Sequence, residues 1–257
     1  MNKIISLIVT VAVAISVAPA FAKPDVDHSV IVPLGEAFDR QTGKKVEGFK
    51  IIHYKRGYHH RPNHTGGPGG EAGSTCYAYL SKGANWKLTE DYLVDSSNTQ
   101  GLASSSVHSL LSTALETWDS EVAADIFGVE SIGVVDGADF IAPDGKNEFL
   151  FANVSDPGAI AVTIVWGIFS GPPFQRELVE WDMVFDDVDF SWSVDASGVA
   201  GKMDFLNIAV HEVGHAAGMG HPSDSCVEET MFRFASEGEI KKRDLNAGDI
   251  AGIKALY

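Results

Sequence analysis

The stretch from residue 211 to residue 221, HEVGHAAGMGH, constrains this chain of 257 residues more than any other. In a helix, positions four apart lie one turn apart on the same face, so His211 and His215 can point ring nitrogens at one metal ion. A turn of about 100° per residue places Val210, Val213 and Ala217 on one side, with His211, Glu212 and His215 on the other. One face reads as core and the other as chemistry. Gly218 can take the left-handed conformation that ends a helix, which turns the chain back and brings His221 toward the same ion. Three neutral imidazoles leave a fourth coordination position free, as in a catalytic zinc site and unlike the closed ligand set of a structural one. Glu212 is then the candidate general base.

The pattern HExxHxxGxxH, followed by Met231 in ETMFRF, resembles the signature of the metzincin metallopeptidases. The resemblance implies a metalloendopeptidase in which His211, His215 and His221 hold one zinc ion and Glu212 is catalytic. It gives Met231 the role of an apolar floor under the metal, without ligation. The final stretch, DLNAGDIAGIKALY, resembles the closing helix of the matrixin catalytic domain, and the likeness covers about residues 76–257. It is nearest to secreted, matrixin-like peptidases of prokaryotes. Pro222 follows the third histidine as in serralysins, but no glycine-rich calcium repeats follow, and Arg233 stands where serralysins place a tyrosine. Val184 stands where animal matrixins carry a histidine for a second, structural zinc, which argues against that ion here.

Residues 1–22 read as a signal peptide: Lys3 supplies the positive start, an apolar run follows, and Ala20-Phe21-Ala22 is a small-residue cleavage site. The run is too short for a membrane span, and no later stretch is long and apolar enough to be one. A secreted protein is expected. Net charge is −16, and −17 without Lys3, which argues against nucleic acid or an anionic membrane as partner. Two cysteines in an exported chain, Cys76 and Cys226, suggest a disulfide. Closing so long a loop would stabilise the fold by about 5 kcal/mol in the chain-entropy account. The alternative is that Cys76 is an inhibitory zinc thiolate, as in matrixin propeptides, but the motif PRCGxPD is replaced by GSTCYAYL. Asp182, Asp186, Asp187 and Asp189 are candidate calcium ligands, with carboxylates on a solvated turn as the competing reading.

Residues 23–75 form a propeptide-like segment in which VEGFKIIHY, residues 46–54, alternates as a single strand that would not fold alone. Residues 58–75 are rich in Gly, Pro and His and mark a linker and a domain boundary. Their His59, His60 and His64 either hold a second metal or are solvated. From residue 76 the pattern is that of a packed domain. Strands are predicted at 86–95, 131–135, 147–152, 159–169 and 178–185, and a helix at 104–120 with Ser104 or Ser105 as N-cap. Asp204 is the expected cap of the active-site helix. Asn246 with Asp249 should open the last helix, which buries Ile250, Ile253 and Leu256. The expected fold class is α/β (α+β), metzincin-like: a twisted mixed sheet with a long backing helix, an active-site helix and a C-terminal helix.

An endopeptidase of this kind should take its protein or peptide substrate on the exposed edge of the strand near 159–169, by strand addition. The loop from Pro222 to Arg243 should wall the pocket beyond the scissile bond. A monomer is expected. Two rivals stand beside this reading: a zinc-binding scaffold that keeps the fold without turnover, and a processing peptidase with a single substrate. An intact Glu212 counts against the first.

Overall fold

The computed structural model describes residues 30–58 and 76–257. The signal-peptide and linker readings, with His59, His60 and His64, lie outside them. In chain order the elements are β1 (Ile31–Phe38), β2 (Lys45–Lys55), β3 (Ala78–Tyr79), β4 (Glu90–Val94), α1 (Ser104–Asp119), β5 (Phe127–Ile132), β6 (Asn147–Ala152), β7 (Ala159–Ile168) and β8 (Glu177–Asp186). Then follow β9 (Trp192–Ser193), β10 (Met203–Asp204), α2 (Phe205–Ala216), β11 (Met219–Gly220), β12 (Phe234–Ala235) and α3 (Ala247–Leu256). The main sheet runs β1-β2-β7-β8-β6-β4-β5, with β12 beside the end of β2. Strands β5, β4, β6 and β8 are parallel, whereas β7, β2 and β1 each join antiparallel to the strand before them in that order. This is the mixed α/β architecture expected, with α1 behind the active-site helix α2 and α3 closing the domain.

Two apolar layers follow from the alternation of the strands. Phe49 and Ile51 of β2, Val165 of β7, and Trp181, Met183 and Phe185 of β8 face the helices, together with Trp118 of α1. Val46, Ile52, Val162, Ile164 and Val184 lie in the opposite layer. Two indoles pin α2: Trp118 Nε1 donates to the Val210 carbonyl at 2.7 Å, and Trp86 Nε1 to that of Ala216 at 2.8 Å. Asp204 caps α2 as expected, its Oδ1 accepting from the Asn207 N–H at 2.8 Å. Asn246 and Asp249 form the capping box that opens α3.

Several local expectations need correction. Helix α1 is entered at Ala103 without a side-chain cap, because the Ser104 hydroxyl pairs with that of Ser96. The strand expected at 131–135 lies at Phe127–Ile132, since Asp119 accepts from the N–H groups of Ile126 and Phe127 and starts it early. In α3, Ile253 and Leu256 are buried but Ile250 is only half-buried, and Asp249 shares the inner face. Cys76 and Cys226 form a disulfide with a Cα separation of 5.5 Å, so the inhibitory-thiolate alternative falls. It ties the start of the 76–257 region to the loop after His221.

The largest correction concerns the edge of β7. It is not open: β2 pairs along it from Glu47 opposite Gly167 to Tyr54 opposite Ala159. The physical reason is that β2 is apolar on both faces, so burying it against β7 satisfies its backbone and covers both layers at once.

Tight packing under α2 yields a test. A Cβ on Gly214 would collide with Met231 Sδ and come within 2.6 Å of Trp118 Cζ2. Gly214→Ala is therefore expected to destabilise the fold by about 1–3 kcal/mol, read as a lowered midpoint of thermal unfolding. An unchanged midpoint would mean that Met231 is not held against the helix.

Candidate metal centre

Helix α2 carries His211, Glu212 and His215, all with no exposed surface. Gly218, at φ +98°, ends the helix and sends the chain into β11, which returns His221 to the first two histidines. His221 Nε2 lies 3.2 Å from His211 Nε2 and 3.0 Å from His215 Nε2. His211 Nδ1 donates to the Thr230 carbonyl at 2.6 Å, and His215 Nδ1 to that of Met219 at 2.9 Å. Each of these rings therefore keeps its proton on Nδ1 and turns a lone pair on Nε2 toward the others. Burial holds all three imidazoles neutral, His215 down to about 4 and the other two well below their usual range. The Nε2 lone pairs of His211 and His215 converge with Nε2 of His221, and three neutral imidazoles with an open position suit zinc.

The support around this tripod comes from α3. Asp249, at the helix start, accepts from the N–H groups of Thr230 (2.7 Å) and Met231 (3.1 Å). It thereby sets the turn whose Thr230 carbonyl orients His211. Met231 is fully buried under Gly214, which fits the packing role inferred for it.

Three residues at the centre escaped the sequence reading. Thr163 on β7 donates its hydroxyl to Glu212 Oε2 at 2.6 Å. His53 on β2 donates from Nδ1 to Glu212 Oε1 at 2.9 Å, and its ring lies 3.8 Å from that of His211. Lys242, buried, reaches the other side of His53. Only His53 had left a signal: in VEGFKIIHY it falls two and four residues after Ile51 and Phe49, on the face those side chains bury. With both oxygens engaged, Glu212 remains buried, and burial pushes its carboxyl up to about 8.

A family model described as Matrixin matches residues 170–257, the span that contains the tripod, Glu212 and Met231. The chain is a metzincin-type relative of the matrixins. It is 38% identical to Matrilysin of Homo sapiens over 76 residues, 30% of this chain and 26% of that protein. With Metalloendoproteinase 4-MMP of Arabidopsis thaliana it shares 37% identity over 71 residues, 26% of this chain and 19% of that protein. A longer alignment, 28% identical over 169 residues, covers 63% of this chain and 55% of Matrilysin of Felis catus. The chain thus spans about a fifth to about half of the length of these curated relatives.

In this matrixin relative the four candidate calcium carboxylates do not gather. Asp186 accepts from the N–H groups of Val154, Val188 and Asp189, and Asp187 from that of Thr99, so both are engaged in holding turns. Asp182 instead accepts from the Asp139 N–H at 2.7 Å, next to a group in which Asp139, Asp144 and Glu180 bring carboxylate oxygens within 4.8 Å of one another. Burial, reinforced by the charge of Asp182, pushes Glu180 up to about 9. A carboxyl raised in the fold binds its proton more tightly there than in the unfolded chain, which loses it near 4.5. Its contribution favours folding at low pH and is lost as pH rises from about 4.5 toward 9. In buffer without added divalent cations, the unfolding midpoint should fall between pH 5 and pH 8. Glu180→Gln should flatten that fall; an unchanged slope would remove Glu180 as its source.

Proposed function

We propose that this chain is a secreted, monomeric zinc endopeptidase in which residues 23–75 act as an inhibitory propeptide. The observation that carries the reading is the convergence of three imidazole Nε2 atoms beside a glutamate that Thr163 holds in place. When bound, zinc supplies Lewis-acid activation of a water molecule and of the scissile carbonyl, lowering the pKa of water from about 15.7 toward 7. His211, His215 and His221 would hold the ion, and the Thr230 and Met219 carbonyls fix the tautomer of the first two rings. Thr163 occupies Oε2 of Glu212, which leaves Oε1 to take the proton of the attacking water and pass it to the departing amine nitrogen.

In the described state His53 occupies Oε1 and β2 fills the place of an extended peptide. It lies antiparallel to β7 on one edge, and at Tyr54 and Lys55 parallel to β12 on the other. Substrate would add to β7 once this segment has left. Nucleic acid does not suit the acidic chain, and among the described residues no helix is long and apolar enough to cross a membrane.

The test is a broad library of peptides and unfolded proteins offered to the protein after cleavage within residues 59–75 and removal of the N-terminal segment, with bound metal quantified. Cuts at internal peptide bonds by a zinc-loaded protein are expected. Zinc at one equivalent with no cut in any substrate would favour the scaffold reading.

A further inference from the structure

Lys242 is fully buried in the loop that connects Met231 to α3. Its backbone N–H donates to Asn207 Oδ1 at 2.8 Å, which locks it to α2. Its Nζ donates to the Phe232 carbonyl and, at 3.4 Å, to His53 Nε2. A third neighbour, His211 Nδ1 at 3.2 Å, already donates its proton to Thr230 and so offers no lone pair. Burial pulls the Lys242 ammonium down to about 7, against which Glu239, Glu212 and Asp249 act through charge, without a hydrogen bond to it. An ammonium has three donors and is costly to bury without acceptors. Of the two acceptors here, one is the wall's own carbonyl and the other is His53, which arrives with β2.

The same strand defines what replaces it. A peptide seated on β7 and β12 as β2 is presents one side chain at the position of His53, against the ring of His211, beside Glu212 Oε1 on one side and facing Lys242 on the other. Beyond His53 the strand continues along β12, and Lys242 lies in the loop between β12 and α3. On the endopeptidase reading, in which this loop walls the pocket beyond the scissile bond, the position is the residue just after that bond. We propose, on the endopeptidase reading above, that Lys242 makes this position select a carboxylate, with Glu preferred over Asp. His53 Nε2 lies three bonds beyond Cβ; the oxygens of a glutamate lie equally far, and those of an aspartate one bond short. The substrate class is then acidic peptides cut before glutamate, and His53 is a neutral placeholder for that side chain.

The full chain is cut within residues 59–75 so that the N-terminal segment stays seated but is free to leave. It carries bound zinc and the Glu212→Ala change, which prevents turnover. Release of a fluorescently labelled segment is measured against peptides that differ only in Glu, Gln or Leu at the selected position. Glu should displace the segment at about a tenfold lower concentration than Gln or Leu, the worth of one charge-assisted hydrogen bond. Lys242→Met should abolish the difference. To separate this from an effect on folding, the preference is also read from the other side with Lys242 intact: the His53→Glu segment should be held about tenfold more tightly than His53→Gln. In a parallel arm, the cleavage sites of the processed wild type should be enriched in Glu directly after the cut. Equal displacement by Leu, a preference that survives Lys242→Met, or cuts without Glu enrichment would overturn the proposal. Displacement that prefers Glu, with no cleavage of any substrate, would leave this inference standing and remove the peptidase reading instead.

Discussion

Glu212→Ala is expected to leave one zinc per chain and to lower kcat/KM of the processed protein by about 10³-fold, within the range for removing a general acid–base group. The ligands do not depend on Glu212: His211 and His215 are oriented by the Thr230 and Met219 carbonyls, and Asp249 sets the turn that bears Thr230. Metal content should therefore survive. The fold should survive too, because the carboxylate is fully buried and burial disfavours its charged form, so its loss relieves a cost while Thr163 and His53 each lose an acceptor. Metal content, thermal midpoint and kcat/KM measured on the same sample separate these effects. Activity near that of the wild type would remove Glu212 from the mechanism, and loss of zinc would make its role structural.

The second large effect is the release of latency. The intact chain should cut peptides at least about 10²-fold more slowly than protein cleaved within residues 59–75 and freed of the N-terminal segment, because a tethered competitor acts at an effective concentration of about millimolar. His53→Ala in the intact chain should recover only a small part of this difference. It frees Oε1 of Glu212, but the ladder from Glu47–Gly167 to Tyr54–Ala159 still occupies the track. The two results together distinguish a blocked base from a blocked cleft. An intact chain as active as the processed one would show that β2 leaves the edge spontaneously, and the inhibitory role of residues 23–75 would fall.

The tripod was legible because its logic is local. His211 and His215 share a helix face through the 3.6-residue period, and Gly218 permits the turn that returns His221, so the spacing alone identifies one metal and one adjacent carboxylate. Asp204 and the Asn246–Asp249 pair were legible for the same reason, since a cap is a contact over three residues. Helix α1 starts at Ser104 as its period predicts, but its N-cap is Ala103, and the Ser104 hydroxyl is engaged by Ser96, a residue outside that window.

What the sequence by itself determined is therefore the metal chemistry, the helices that carry it and the approximate strands. Only the tertiary structure decided what lies on the edge of β7 and what surrounds Glu212. Strand pairing joins residues far apart in the chain, and nothing in VEGFKIIHY specifies whether its partner is a neighbouring strand or one more than a hundred residues away. His53 and Lys242 are 189 residues apart, and Thr163 and Glu212 are 49 apart. Each such contact exists because packing of the whole sheet against α2 leaves one place for a buried polar group and requires a partner there.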